Sequence, residues 1–203
     1  MVMEIRIYAE GGGDSKDTKA FFRQGLSAFL GDPKQSAHAR RIRWTVVVCG
    51  PRQRAFVDFR NAIASHPDSF NILLVDSEAI VEGTPWQHLK LRDGWNAPEI
   101  PDDHCQLMVQ AMEAWFVADP EGLASFYGRD FNGNSIPRTN VESVGKHQLN
   151  QALRDATRNT QKGEYHKIRH GCKLLEIIDP VSVRQALSHC ARLFATLYSL
   201  IDG

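Results

Sequence analysis

The chain has 203 residues, 42 % of them hydrophobic and 24 % charged. That balance excludes a disordered polypeptide and suits one globular domain. A formal net charge of zero excludes a uniformly basic surface for nucleic acid, although it permits a local basic patch.

Residues 3–9 alternate and are rich in isoleucine, which predicts a first strand ending at Glu10. Gly11, Gly12 and Gly13 follow, and Asp14 or Ser15 is a suitable N-cap for a helix over about 16–30. Its stripe is Phe22, Leu26, Phe29 and Leu30, and Gly31-Asp32-Pro33 is expected to end it. Trp44 to Val48 predicts a second strand, closed by Cys49-Gly50-Pro51. A helix over about 52–65 turns Phe56, Phe59 and Ile63 inward, and Asn71 to Val75 is a third short strand. Such near-continuous apolar runs belong to strands buried on both faces. The order β-α-β-α-β therefore points to an α/β fold with a mainly parallel sheet flanked by helices.

Residues 79–103 read as a loop, punctuated by Pro85, Gly94, Pro98 and Pro101. Gln106 to Val109 predicts a fourth strand, and Met112 to Tyr127 one or two helices interrupted at Pro120, with Asp119 as N-cap. A polar loop over 128–141 leads to helices over about 146–158, 170–178 and 180–201. The last carries Val183, Leu187, Cys190, Phe194, Leu197 and Ile201 as a stripe. It is too short for a strong coiled-coil seam, so packing on the sheet is expected, with a homodimer through this helix as the other use of it. The division expected is a core over 1–128 and a helical C-terminal portion over 129–203, packed on the same domain. The cysteines at 49, 105, 172 and 190 lack metal-ligand spacing, no leader precedes them, and no apolar run is long enough for a membrane span. Reduced thiols in a cytoplasmic protein away from membranes are expected.

Ligands of an open parallel sheet bind beyond the carboxyl ends of its strands. Glu10 ends the first strand and Asp76 the third, and Glu78 lies two residues further on, on the same side if the backbone stays extended. Three carboxylates in one place repel one another, and a hard divalent cation, Mg2+ or Mn2+, resolves the repulsion. Gly11, Gly12 and Gly13 let backbone N–H groups approach a phosphate without a Cβ in the way. The bland alternative is that Glu10 pairs locally and Asp76 opens a turn. Glu113, among apolar neighbours, is either a further metal ligand or a grip on a basic residue. Lys162, Lys167 and Arg169 make 161–170 the most basic stretch, with Tyr165 offering a ring, so it either holds a phosphodiester backbone or is a solvated loop. His166 and His170 have a spacing that can hold zinc, but lack His-Glu-x-x-His surroundings. Arg52 and Arg54 stand at the expected ligand edge as ordinary helix-start residues that add positive potential there.

A glutamate ending the first strand before a glycine-rich turn, with an acidic pair ending a later strand, resembles the Toprim fold of topoisomerases, bacterial primases, recombination-mediator proteins and nucleases of the overcoming-lysogenization-defect type. Glu10, Asp76 and Glu78 carry the match, with Glu78 standing where the pattern has aspartate. Over nearly its whole length the chain also looks like a bacterial family of unknown function with a Toprim-like, Rossmann-like fold, domain of unknown function 4276. The pieces are Tyr8-Ala9-Glu10-Gly11-Gly12-Gly13-Asp14-Ser15, Leu74-Val75-Asp76-Ser77-Glu78-Ala79, Pro85-Trp86-Gln87-His88-Leu89 and the segment Leu107 to Asp119. The resemblance implies a magnesium site and chemistry on a nucleic-acid phosphodiester, DNA or RNA, as in an endonuclease. Asp76 and Glu78 would be ligands, Glu10 a ligand or general base, and Lys167 a phosphate contact. It also implies an ATPase partner and a role in phage defence. Two alternatives stand beside this reading: a non-catalytic module docking on an ATPase, and nucleotidyl or phosphoryl transfer on a small nucleotide. A site filled by lysine or arginine would favour docking.

Overall fold

The computed structural model describes residues 2–203. Its sheet is built from β1 (Glu4–Glu10), β2 (Arg43–Gly50), β3 (Ser69–Asp76) and β4 (Cys105–Met108), all parallel and in the order β2-β1-β3-β4. The fold is α/β and Rossmann-like. β1 and β3 are neighbours, with Ala9 opposite Leu74, so their carboxyl ends share one edge. Side chains alternate between two apolar layers even where the sequence is uniformly hydrophobic. Ile5, Ile7, Ile72 and Leu74 face one layer, and Tyr8, Leu73 and Val75 face the other.

The first layer is covered by α1 (Lys16–Phe29), whose buried Phe22, Leu26 and Phe29 form the expected stripe behind an N-cap at Ser15. The second is covered by α3 (Arg52–Ser65) through Ala55, Phe56 and Phe59. Two expectations are corrected between these elements. Gly31-Asp32-Pro33 does not end the helical region but opens α2 (Gly31–Ala39). Proline is tolerated in a first turn, where its missing N–H has no partner to lose, and α2 buries only Pro33 and Ala37, too little for a legible stripe. The stretch 79–103 contains α4 (Pro85–Asp93), capped by Thr84 and Gln87 in a reciprocal box and closed by Gly94 in the left-handed conformation.

The second half is helical: α5 (Glu113–Val117), α6 (Pro120–Tyr127), α7 (Lys146–Thr157), α8 (Lys167–Ile177), α9 (Pro180–Ala186) and α10 (Ser188–Asp202). Asp119 caps α6 through Gly122 N. The single helix expected over 180–201 is two, because Leu187 is extended and Glu142 accepts a hydrogen bond from His189 N at 2.9 Å, which starts α10 afresh. Its stripe is buried nonetheless, and α10 packs on β4 and α2. These helices share one apolar cluster with the sheet. α8 crosses α1 closely at Gly25, and this crossing carries Lys167, the first residue of α8, to the carboxyl edge. Among the described residues no helix is long and apolar enough to cross a membrane. All four cysteines are unpaired and buried.

Candidate metal centre

At the end of β1 the register slips. Ala9 lies opposite Val48 but Glu10 lies opposite Gly50, so Cys49 is passed over. Such irregularities re-aim side chains at sheet ends, and here the Glu10 carboxylate reaches across the edge towards β3. Its Oε2 accepts from Asp76 N at 3.2 Å and from Arg52 Nη1 at 3.3 Å. Gly11, Gly12 and Gly13 all have positive φ. A Cβ on Gly12 would lie 2.7 Å from Val48 Cγ1 and 3.0 Å from Lys19 Cα, so glycine is required there by packing as well as by backbone conformation.

Asp76 is 3 % exposed. Its Oδ1 accepts from Met112 N at 2.9 Å, and its Oδ2 lies 3.2 Å from Lys146 Nζ and 3.9 Å from Lys167 Nζ. Glu78 also arrives, though not by extended backbone as expected. β3 ends at Asp76, Ser77 N and Glu78 N donate to the carbonyls of Met108 and Gln110, and Glu78 turns back with φ +63°. The left-handed residue achieves what continued extension was expected to do. One carboxylate oxygen from each of Glu10, Asp76 and Glu78 lies within 4.8 Å of the others. Three hard oxygen donors so grouped can hold a metal ion.

Glu113 stands apart from that trio. It is fully buried, accepts from Tyr165 Oη at 3.1 Å, and lies 3.4 Å from Lys167 Nζ. Its geometry is that of a grip on a basic residue. The segment 161–170 does not converge as a unit either. Lys167 reaches the acids, whereas Lys162 lies over the Phe126 ring and Arg169 donates to His170 Nε2. His166 caps α8 through Arg169 N, while His170 faces Tyr127 and is pushed down to about 4, chiefly by burial. Arg52 is held by a two-pronged pair with Asp93 and by the face of Trp95. Arg54 instead pairs with Asp58 within its own helix. Lys146 was not singled out in the sequence, yet it contacts both Asp76 and Glu78. Gln148 accepts from Gly145 N and marks a helix start there, but nothing local reveals that this start points at a site 70 residues away.

The electrostatics reflect crowding. Burial first, and the Asp76 carboxylate second, push Glu10 up to about 7, with Arg52 opposing them. Burial also raises Asp76, against the pull of Lys167 and Lys146. Lys146 is raised, because the two carboxylates it touches outweigh its partial burial. A carboxyl raised from 4.5 to about 7 contributes stability that is complete below pH 4.5 and is lost as pH rises through 7. In EDTA the Glu10 contribution should therefore be smaller at pH 8 than at pH 5, whereas His170, lowered in the folded protein, contributes in the opposite direction. Glu10→Gln should change the stability difference between the two pH values by about 1–3 kcal/mol in favour of pH 8. Thermal melts at the two pH values check this, and an unchanged difference in the variant would show that Glu10 has no part in it.

The model of a family described as Domain of unknown function (DUF4276) matches residues 9–198. No curated protein and no solved structure matches the chain.

Proposed function

The chain belongs to the DUF4276 family, and for this member we propose a magnesium- or manganese-dependent phosphodiesterase acting on nucleic acid, most simply an endonuclease of Toprim type. The observation that carries the reading is the trio of Glu10, Asp76 and Glu78 within 4.8 Å at the carboxyl edge of neighbouring parallel strands. The donors fit a hard divalent ion: all are carboxylate oxygens, and the repulsion between Glu10 and Asp76, which adds to burial in raising Glu10, is what such an ion would relieve.

When bound, the ion would polarise a phosphate and lower the pKa of a coordinated water. The chain's own residues supply the rest. Asp76 and Glu78 would hold the ion, and Asp76 is kept in place by Met112 N. Glu10 would serve as general base or as a third ligand. Arg52, locked by Asp93, orients Glu10. Lys167 is half-exposed and steadies a phosphate at the rim. A formal net charge of zero favours instead the docking reading. The phage-defence setting belongs to the nuclease reading through the Toprim resemblance, and the cytoplasmic one through the unpaired cysteines.

This second reading is favoured by one structural observation: Lys146 contacts both Asp76 and Glu78, as expected of a charge-neutralised module that docks on an ATPase. Incubation with single-stranded DNA, duplex DNA and RNA in magnesium or manganese, with and without an ATPase encoded beside it, separates the two. Cleavage should occur, stop in EDTA, and fall at least about 1,000-fold in Glu10→Gln and in Asp76→Asn. Lys167→Ala should weaken binding and lower the salt slope by about one. Cleavage surviving both acid substitutions would remove the site assignment, and tight ATPase binding without cleavage would establish docking.

A further inference from the structure

Glu10 and Asp76, two members of the trio, border a cavity of about 270 Å³ between the glycine turn, α1 and α8. Its lining combines two chemistries. Glu10, Asp76, Thr18 and Lys167 supply polar groups, and at the turn Gly12 and Gly13 N–H donate to no carbonyl among the described residues. Phe22, Met108, Met112, Ile168 and Cys172 supply an apolar wall beside them. The ligand that satisfies both carries an anionic head close to a compact body with apolar faces.

A sugar phosphate has the head without the body. A nucleotide has both, and thioethers beside a phenyl ring accept the face of a planar base. Size decides between paired and unpaired bases. The cavity is smaller than the roughly 300 Å³ at which pockets for drug-sized ligands begin, whereas a duplex presents a major groove about 12 Å wide with its bases stacked inside. Only a base outside a duplex can enter. Resting on the reading of the trio as a metal and phosphate site, we infer that this cavity receives the base of one unpaired nucleotide whose phosphate faces Glu10, Asp76 and Glu78. The nucleotide is either free or part of a single strand.

Calorimetry with adenosine 5′-monophosphate and ribose 5-phosphate, each with and without magnesium, tests the assignment. The nucleotide should bind at least about tenfold tighter than the sugar phosphate. Ile168 lines the cavity yet is 55 % exposed, so its replacement leaves the core intact. Ile168→Asn should abolish the preference for the nucleotide and Ile168→Ala should lessen it, both without changing magnesium binding measured alone. Equal affinity of the two ligands, or a preference that survives both variants, would overturn the inference. Competition by an oligodeoxynucleotide separates the sources. Displacement of the nucleotide by the single strand but not by its blunt duplex supports a base within a strand, and displacement by neither supports a free nucleotide. A duplex that competes as well as the single strand overturns the need for an unpaired base. Magnesium binding without nucleotide preference would leave the metal reading standing and remove this one. Nucleotide preference without any magnesium binding would do the reverse.

Discussion

Gly25→Ala should destabilise the protein by about 3 kcal/mol, lowering the melting temperature by roughly 6–12 °C. On an exposed helix the same change is favourable by up to about 1 kcal/mol, because alanine is the better helix former. Here packing wins. A Cβ on Gly25 would run into the carbonyl oxygen of Cys172 and come 2.9 Å from Leu175 Cβ. A backbone carbonyl cannot yield without moving α8. That movement would displace Lys167 from Glu113 and Asp76, so magnesium affinity should change together with stability. Gly31 is the control, since a Cβ there meets nothing within 4 Å and Gly31→Ala should be close to neutral. Urea unfolding of both variants checks the pair. A Gly25→Ala protein as stable as its parent would show that the helices do not cross this closely.

Lys146→Met should tighten magnesium binding by about tenfold. The ammonium stands against two carboxylates of the trio, where a divalent ion would have to displace it. Two unit charges 4 Å apart interact by about 4 kcal/mol near a protein surface. The Lys146 side chain is one-third exposed, so solvent screening reduces this to about 1–2 kcal/mol, or roughly tenfold in affinity. Methionine keeps the apolar stem and removes the charge. The metal-free variant should melt lower than the parent at pH 8, because three carboxylates lose a counterion, and magnesium should restore the difference. Titration calorimetry reads the affinity directly. An unchanged affinity would show that the ammonium and the ion do not compete.

Much of this site was legible because strand ends are legible. Glu10 and Asp76 each close a hydrophobic run, and a parallel sheet brings the carboxyl ends of such runs to one edge. Glu78 was found for an incomplete reason: its spacing suggested extension, whereas its backbone is left-handed, and a single positive φ leaves no trace in periodicity. Lys146 was hidden because its approach depends on the path of the loop before α7, which no local pattern records. The segment 161–170 is one basic stretch by composition, yet Lys162 lies over Phe126, Arg169 donates to His170, and Lys167 alone of the three reaches the acids. α4 had its signature in Thr84, Pro85, Gln87 and Gly94, but nine residues with only one face in the core make a weak stripe. α2 had less still.

The strand order also governs when the site comes into being. β1 cannot pair with β2 until α1 and α2 have been traversed, nor with β3 until the chain has reached Ser69. Parallel pairing across such distances is slow, because loop closure must precede the contacts that reward it. On a ribosome the three carboxylates are all synthesised by residue 78, whereas the ammonium groups of Lys146 and Lys167 follow about 70 and 90 residues later. A nascent chain paused between those points has the acidic edge without either of those ammonium groups, and Arg52 and Lys19 are the cations already made nearby. During that interval a divalent cation held by the three carboxylates would offset their mutual repulsion.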